Sequence, residues 1–217
     1  GAAIYAEAIY GIGGFSASAH FRILDHMGTM SSLYGKGTGN SLSYLPALTR
    51  QYHYMLANLN PYQVNGRGEC AVQLDLFYTL RSGSDRNKYW IFRANASSAF
   101  TIDRMQSDNG ERRLLWMDLN ADAECHWNRQ LRTTFLYSRQ EWSPSHGYEE
   151  GTYASNIFVA DAQYKFNKKY ALRGELQYLY SKDYERDWVA ALAEFTFAPQ
   201  WSIYATEMYN LGETKKH

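Results

Sequence analysis

The chain has 217 residues, with 22 Lys plus Arg against 22 Asp plus Glu, 45% hydrophobic and 20% charged residues, and 19 Tyr, 10 Phe and 6 Trp. That length holds one or two domains with a sizeable core, and the composition excludes a disordered or low-complexity chain. Zero net charge and a pI near 7.2 argue against a nucleic-acid partner or an acidic tail.

Cys70 and Cys125, with no CxxC, cannot build a disulfide framework, although a single bridge between them stays open. No uncharged apolar run approaches the ~18 residues of a membrane helix, and the mean hydropathy of −0.52 agrees. A helical membrane protein is excluded. A membrane β-barrel is not, because its strands alternate apolar and polar residues and score as hydrophilic. The chain starts at Gly1 without a signal-type segment, which reads as a mature chain or a piece of a longer one.

In chain order the recurring signal is alternation with a period of two. A first strand is expected over about 2–10. The Gly11–Gly14 stretch follows as a tight turn, since no Lys-Ser/Thr continues it into a phosphate loop. Over 14–24, Phe15, Ala17, Ala19, Phe21 and Ile23 oppose Ser16, Ser18, His20, Arg22 and Leu24. A long segment, 25–68, is rich in Tyr, Ser, Gly and Asn and includes Tyr44, Tyr52, Tyr54 and Tyr62. It reads either as a loop folding inward as a plug or outward to a partner, or as hiding a further pair of strands near Gln51–Leu56.

Next come strands over 69–80 and 88–98, with Cys70, Val72, Leu74, Leu76 and Tyr78 opposing Glu69, Gln73 and Asp75. The clearest strand spans 113–125. There Leu115, Met117, Leu119, Ala121, Ala123 and Cys125 oppose Trp116, Asp118, Asn120, Asp122 and Glu124. Four of the remaining strands are placed at 129–141, 153–166, 169–181 and 187–197, and the last at 201–211. Their polar faces carry Arg132, Asp161, Lys165, Arg173 and Glu175. About ten strands result, mostly longer than the ~5–6 residues usual in soluble sheets and close to the ~9–11 that cross a bilayer. All four prolines fall between strands.

Connections alternate between short and long, as in an up-and-down barrel with tight turns at one rim. Aromatics flank the turns. Trp127, Tyr164, Phe166, Tyr170, Phe195, Phe197 and Trp201 sit at one end, with Tyr178, Tyr180, Tyr137, Trp142 and Trp188 at the other. Such belts mark membrane–water interfaces. A soluble sandwich or barrel using them as core aromatics is the competing reading.

The segment Arg50–Thr79, with its NLNPY stretch at Asn58–Tyr62 and the QLDLFY strand, resembles a family of uncharacterised Bacteroidetes outer-membrane β-barrels. The turn segments YKFNKKYALRGELQY and FTFAPQWSIY share the likeness. The resemblance implies a porin-like barrel in the outer membrane of a Gram-negative bacterium, with outer-membrane lipid and lipopolysaccharide around it and other envelope proteins as candidate partners. It brings no catalytic residues. Members look longer than this chain, and barrels of this kind usually end on an aromatic residue, where this chain ends at His217.

Asp118, Asn120, Asp122, Glu124 and His126 resemble a metal-ligand run, but alternate strand residues stand about 6.8 Å apart and EF-hand spacing is absent. They read as a lumen-lining stripe. Mixed charges at Asp75, Arg132, Asp161, Lys165, Arg173 and Glu175 suggest cross-strand pairs and weak ion selectivity. Ser18 with His20, and Ser145 with His146, lack a GxSxG elbow or a third group, so no enzyme is expected. No cofactor and no metal are expected either. The expected fold is all-β: an antiparallel up-and-down transmembrane β-barrel, or part of a larger one, forming one domain over 1–217. Its function is expected to be a passive diffusion channel or an envelope scaffold. A plugged barrel binding through its long loops is the alternative, and a soluble ligand-binding barrel the third.

Overall fold

The computed structural model describes residues 1–27, 29–30, 41–42, 46–83, 85–102, 112–183 and 186–212. Tyr44 and the Lys215–His217 end therefore lie outside the described residues. Ten long strands form one antiparallel sheet: β1 (Ala2–Ile12), β2 (Phe15–Asp25), β5 (Gly68–Arg81), β6 (Tyr89–Thr101), β7 (Leu114–His126), β8 (Leu131–Trp142), β9 (Tyr153–Lys165), β10 (Tyr170–Ser181), β11 (Trp188–Phe197) and β12 (Trp201–Asn210). Each pairs with the next in order, an up-and-down meander. A two-residue pair, β3 (Thr29–Met30) with β4 (Ser41–Leu42), stands apart within the 25–68 segment. The alternation in the sequence located every long strand. The largest boundary difference is at β6, which runs to Thr101 instead of stopping at 98.

Local chemistry explains the tight turns. Asn128 Oδ1 accepts from the backbone N–H groups of Gln130 and Leu131, both at 2.8 Å. Asn167 repeats the device with Lys169 and Tyr170, at 2.7 and 3.0 Å. At the β1–β2 turn, Gly13 takes φ +55°, and a Cβ on Gly14 would stand 2.7 Å from the Thr79 carbonyl oxygen.

The sheet is open: β1 and β12 are its two edges and do not pair with each other. It is also curved. Pro46 touches β2 through Arg22, and Met55 touches β12 through Thr206. One cavity of about 480 Å³ is lined by Arg50 and Tyr54 together with residues from Arg93 on β6 to Glu194 on β11, strands five spacings or about 24 Å apart on a flat sheet. The 46–57 segment thus lies in the hollow of the sheet, and we call that side concave.

The two faces have inverted polarity. On the convex face Leu74, Leu119, Phe135, Phe158, Leu172 and Leu176 are exposed, while the concave face buries Arg22, Glu69, Asn95, Asp118, Asn120, Asp122, Asp161, Glu175 and Gln177. Three sequence assignments change. Leu115 joins a buried cluster with Leu48, Ala71, Ala99 and Trp116, because a β-bulge opposite Ala99/Phe100 inserts it as an extra residue. Trp142 and Trp188 face the concave side, not the convex belt. Trp142 pairs across to Trp116 and Tyr153, and Trp188 to Leu179, on the buried parity.

Candidate functional site

The chemistry of the molecule is gathered where the 46–67 segment meets the concave face. From Arg50 to His53 the segment has no regular structure and at Met55 it turns helical; Arg50, Tyr52, Tyr54 and Leu56 meet the sheet while Gln51 and His53 are exposed. The further pair of strands expected as one alternative near Gln51–Leu56 is not formed: this stretch joins no ladder. It ends in a single 3-10 turn, Leu56–Asn58.

The polar half of the contact is charge-assisted. Arg50 donates to Asn120 Oδ1 at 2.8 Å and to Asp122, whose other oxygen accepts from Arg93 at 2.7 Å. Arg93 also reaches Glu124, which His126 approaches at 2.6 Å. Tyr52 donates its hydroxyl to Asp118 at 2.7 Å, and Ser138 donates to the second oxygen of that carboxylate at 2.9 Å. From Asn120 the bonds continue to Asn95 (3.1 Å) and on to Asp75 (2.6 Å), so one network crosses β7, β6 and β5.

A second group lies on β9 and β10, where Arg173 bonds Asp161 and Glu175, each at 2.6 Å. Glu194, an oddity among apolar neighbours in the sequence, accepts from Ser202 at 2.7 Å and stands 3.8 Å from Arg173. Arg132 comes no closer than 3.9 Å to Glu124, and its Nε is buried without a partner. Lys165, at the end of β9, is exposed at the short-turn rim. Between these strands and the segment lies a polar cavity of about 480 Å³ lined in part by Arg50, His53, Arg132 and Arg173.

The apolar half of the contact is an island on the otherwise polar face. Tyr54, Leu56 and Ala57 pack onto Leu136, Ile157, Val159, Leu179 and Ala190. Two glutamines secure the backbone at its centre: Gln177 accepts from the Leu56 N–H and Gln140 donates to the Ala57 carbonyl, both at 2.9 Å. The returning chain is latched by Glu69, fully buried, which accepts from Arg22 at 2.7 Å, from the Asn65 N–H at 2.9 Å and from the Tyr62 hydroxyl. Burial, with the Asp161 and Glu175 carboxylates next, pushes the Tyr54 hydroxyl up to about 12. Tyr52 and Tyr62 are raised further by the same burial, with Asp118 and Glu69 as their respective charged neighbours. Desolvation, helped by Arg173, lowers the exposed His53.

Every lining residue expected from the sequence except Lys165 falls in this contact or its network. Sequence reasoning named Tyr52 and Tyr54 in a loop that could fold inward, but not the strand residues they meet, and it did not single out Arg50 or Leu56 as contacts. The usable signal was the set of apolar intruders on polar stripes: Leu136, Val159 and Leu179. The acidic run on β7 is spoken for by Tyr52, Arg50, Arg93 and His126, and among the described residues no group of three ligands could hold a metal ion. Ser18 Oγ and His20 Nε2 do meet, at 3.2 Å, with Tyr5 on the other ring nitrogen at 2.9 Å. They sit mid-strand, where the β1, β2 and β5 ladders engage the backbone donors that an oxyanion would need. Cys70 and Cys125 are free thiols, so the open question of a bridge is settled against one.

The convex aromatics gather at the rims. Tyr170 packs on Phe195 and Phe197 with centroids 6.0 and 5.2 Å away, and Trp201 on Phe197 at 5.5 Å. Tyr164 meets Phe166 at 5.0 Å, and Trp127 meets Trp90 edge-on at 5.6 Å. Tyr178 and Tyr180 are exposed at the other rim.

Taken together, these features define an all-β protein: an open, curved, ten-stranded up-and-down sheet whose own loop fills its polar hollow. The chain belongs to the family of unknown function DUF6029, whose model matches residues 1–217. No curated protein and no solved structure matches it.

Proposed function

We propose that this chain is the wall of a membrane-embedded β-barrel whose lumen is filled by its own 46–67 segment, and that it acts as a binding or assembly module, not as a freely open pore. The observation that carries this reading is the inverted polarity of the sheet. A face bearing Phe135, Phe158 and Leu176 at 58%, 49% and 66% exposure is stable where its surroundings are apolar, while the opposite face buries carboxylates and arginines. Acyl chains fit the convex groove of about 840 Å³, floored by Ala94, Ala121, Ala123 and Ala160 and walled by Phe92 and Phe158.

The location this implies is the outer membrane of a Gram-negative bacterium, with lipid and lipopolysaccharide as the immediate partners. The exposed edges of β1 and β12 are where further strands close the wall. The Arg50, Tyr52 and Leu56 anchors favour the plugged state over the porin-like state. No bond-breaking chemistry is assigned.

The test combines two readouts on detergent-purified protein: heat-modifiable migration on a denaturing gel, and conductance in a planar bilayer. The expected result is detergent dependence, a heat-sensitive band and few or no stable conductance steps. Monodisperse behaviour without detergent overturns the membrane assignment. Large stable steps from the unaltered chain overturn the plugged reading and restore the diffusion channel.

A further inference from the structure

The concave face has one region that the polar network does not explain. At the long-loop rim, Trp116, Trp142 and Tyr153 stand directly opposite one another on β7, β8 and β9, a cross-strand row of rings. Tyr62, from the filling segment, stacks on Trp116 with centroids 5.6 Å apart, and Trp142 meets Tyr153 edge-on at 6.2 Å. These rings are on the wrong face to anchor the sheet in lipid. The 46–67 segment covers Trp116 but leaves Trp142 and Tyr153 only half-buried, beside a crevice of about 480 Å³. That volume lies within the range of small-molecule sites.

The crevice is built, not adventitious. The Trp116 indole N–H is fixed on Thr49 at 3.0 Å and the Tyr62 hydroxyl on Glu69, so both rings are held in place. Its far wall, the 143–152 loop, is fastened by Arg113, which donates to the Gly147 and Tyr148 carbonyls at 3.1 and 2.6 Å. Arg67 lies over the Tyr148 ring at 4.7 Å. The Ser143 hydroxyl accepts from the Gly147 N–H at 2.9 Å and fixes the loop's entry.

The lining chemistry selects the ligand. No Lys, Arg, Asp or Glu is among the described lining residues, so nothing there would compensate a charge. Gln63 supplies an amide and His146 an imidazole beside the rings, donors and acceptors suited to neutral hydroxyls. Aromatic faces are electronegative and favour the weakly positive C–H face of a sugar ring. We infer that the crevice between Tyr62, Trp116, Trp142 and Tyr153 is a binding site for an uncharged saccharide. This inference rests on the proposed barrel-wall reading, which puts the long-loop rim at the membrane surface.

The probes are maltotriose, cellotriose and mannotriose, with trigalacturonate as the charged control, titrated into the detergent-purified chain while tryptophan fluorescence is followed. Saturable quenching by at least one neutral trisaccharide, and none by the charged one, is expected. Trp142→Ala should weaken that binding about thirtyfold, as loss of an aromatic anchor does, while Trp142→Phe retains most of it. Gln63→Ala, at an exposed position with little bearing on folding, should weaken it by several-fold and guards against a Trp142→Ala chain that does not fold. Heat-modifiable migration is recorded on the same samples. A heat-modifiable protein that binds none of the neutral sugars, or binds trigalacturonate as tightly, overturns the saccharide site and leaves the barrel wall standing. Sugar binding by a chain that is not heat-modifiable and needs no detergent sinks the barrel wall and keeps the crevice.

Discussion

The convex and concave faces of this sheet share a backbone but obtain their stability from different sources. On the convex face, Leu176 and Phe135 keep more than half of their surface exposed. On the concave face, Asp118, Ser138 and Ile157 are fully buried, although two of the three are polar. A sandwich would cover its apolar face with a second sheet. Here the covered face is the polar one, and its cover is a single segment that joins no ladder. The difference teaches that burial and hydrophobicity are uncoupled in this fold. Concave burial depends on satisfied hydrogen bonds and ion pairs, and convex stability on the surrounding medium.

The largest break in that comparison comes from removing a concave charge. Asp122→Ala leaves Arg50 and Arg93 without their shared carboxylate, which is 1% exposed. Loss of one partner from such a pair should lower unfolding stability by about 3–5 kcal/mol. The loss is read from urea unfolding in micelles by gel migration. A change below about 1 kcal/mol would mean that the two guanidiniums remain hydrated and the concave face is not dry.

This network also marks the limit of what the sequence discloses. Strands, their faces and the alternating turns were legible because each depends on a local period of two. Asp118, Asn120 and Asp122 were recognisable as one inward stripe for the same reason. Their partners were not, because Arg50 and Tyr52 arrive from 72 and 66 residues away in sequence and nothing local fixes that register. Leu136, Val159 and Leu179 broke the polar pattern on three successive strands, and in space they are the footprint of Tyr54 and Leu56. Trp142 was misplaced because a ring at a strand end suggests an interface belt, whereas its parity with Ser138 and Gln140 turns it inward. The bulge that moves Leu115 leaves no trace in composition.

Next in size is a test of the convex face. Leu176→Arg, at 66% exposure, should change the stability of a water-soluble sheet by no more than about 0.5 kcal/mol. In a bilayer the same change near the middle of a wall strand should cost about 2–4 kcal/mol. Unfolding measured in lipid vesicles separates the two, and a neutral result there would remove the main support for the membrane reading.

Alkaline pH probes the cover from the other side. The Tyr54 hydroxyl is raised to about 12 by burial and the nearby carboxylates, above the ordinary 10 that it regains when released. A raised folded value means that its contribution is fully present below pH 10 and is lost as pH climbs from 10 through 12. Tyr52 and Tyr62 shift in the same direction. The segment should therefore become protease-sensitive over that window, with a total effect from Tyr54 of at most about 2–3 kcal/mol. The Tyr54→Phe variant should show a shallower loss. If protease sensitivity appears below pH 9, another group controls the release.

The smallest expected effect sharpens the comparison most directly, because the six tryptophans divide between the faces. Trp90 and Trp201 share the convex parity, with Trp127 packed on Trp90, and Trp116, Trp142 and Trp188 the concave. Trp127 donates its N–H to Thr133 at 2.9 Å and has Lys88 5.6 Å above its ring. Trp127→Phe keeps the ring but loses the bond, so it should cost only about 0.5–1.5 kcal/mol. Its spectroscopic consequence is larger. In vesicles with brominated acyl chains, single-tryptophan variants retaining Trp127 or Trp201 should be quenched, whereas those retaining Trp116 or Trp142 should not. Equal quenching of both sets would mean that lipid reaches the concave side, which a hollow sealed by Arg50, Tyr52 and Leu56 does not allow.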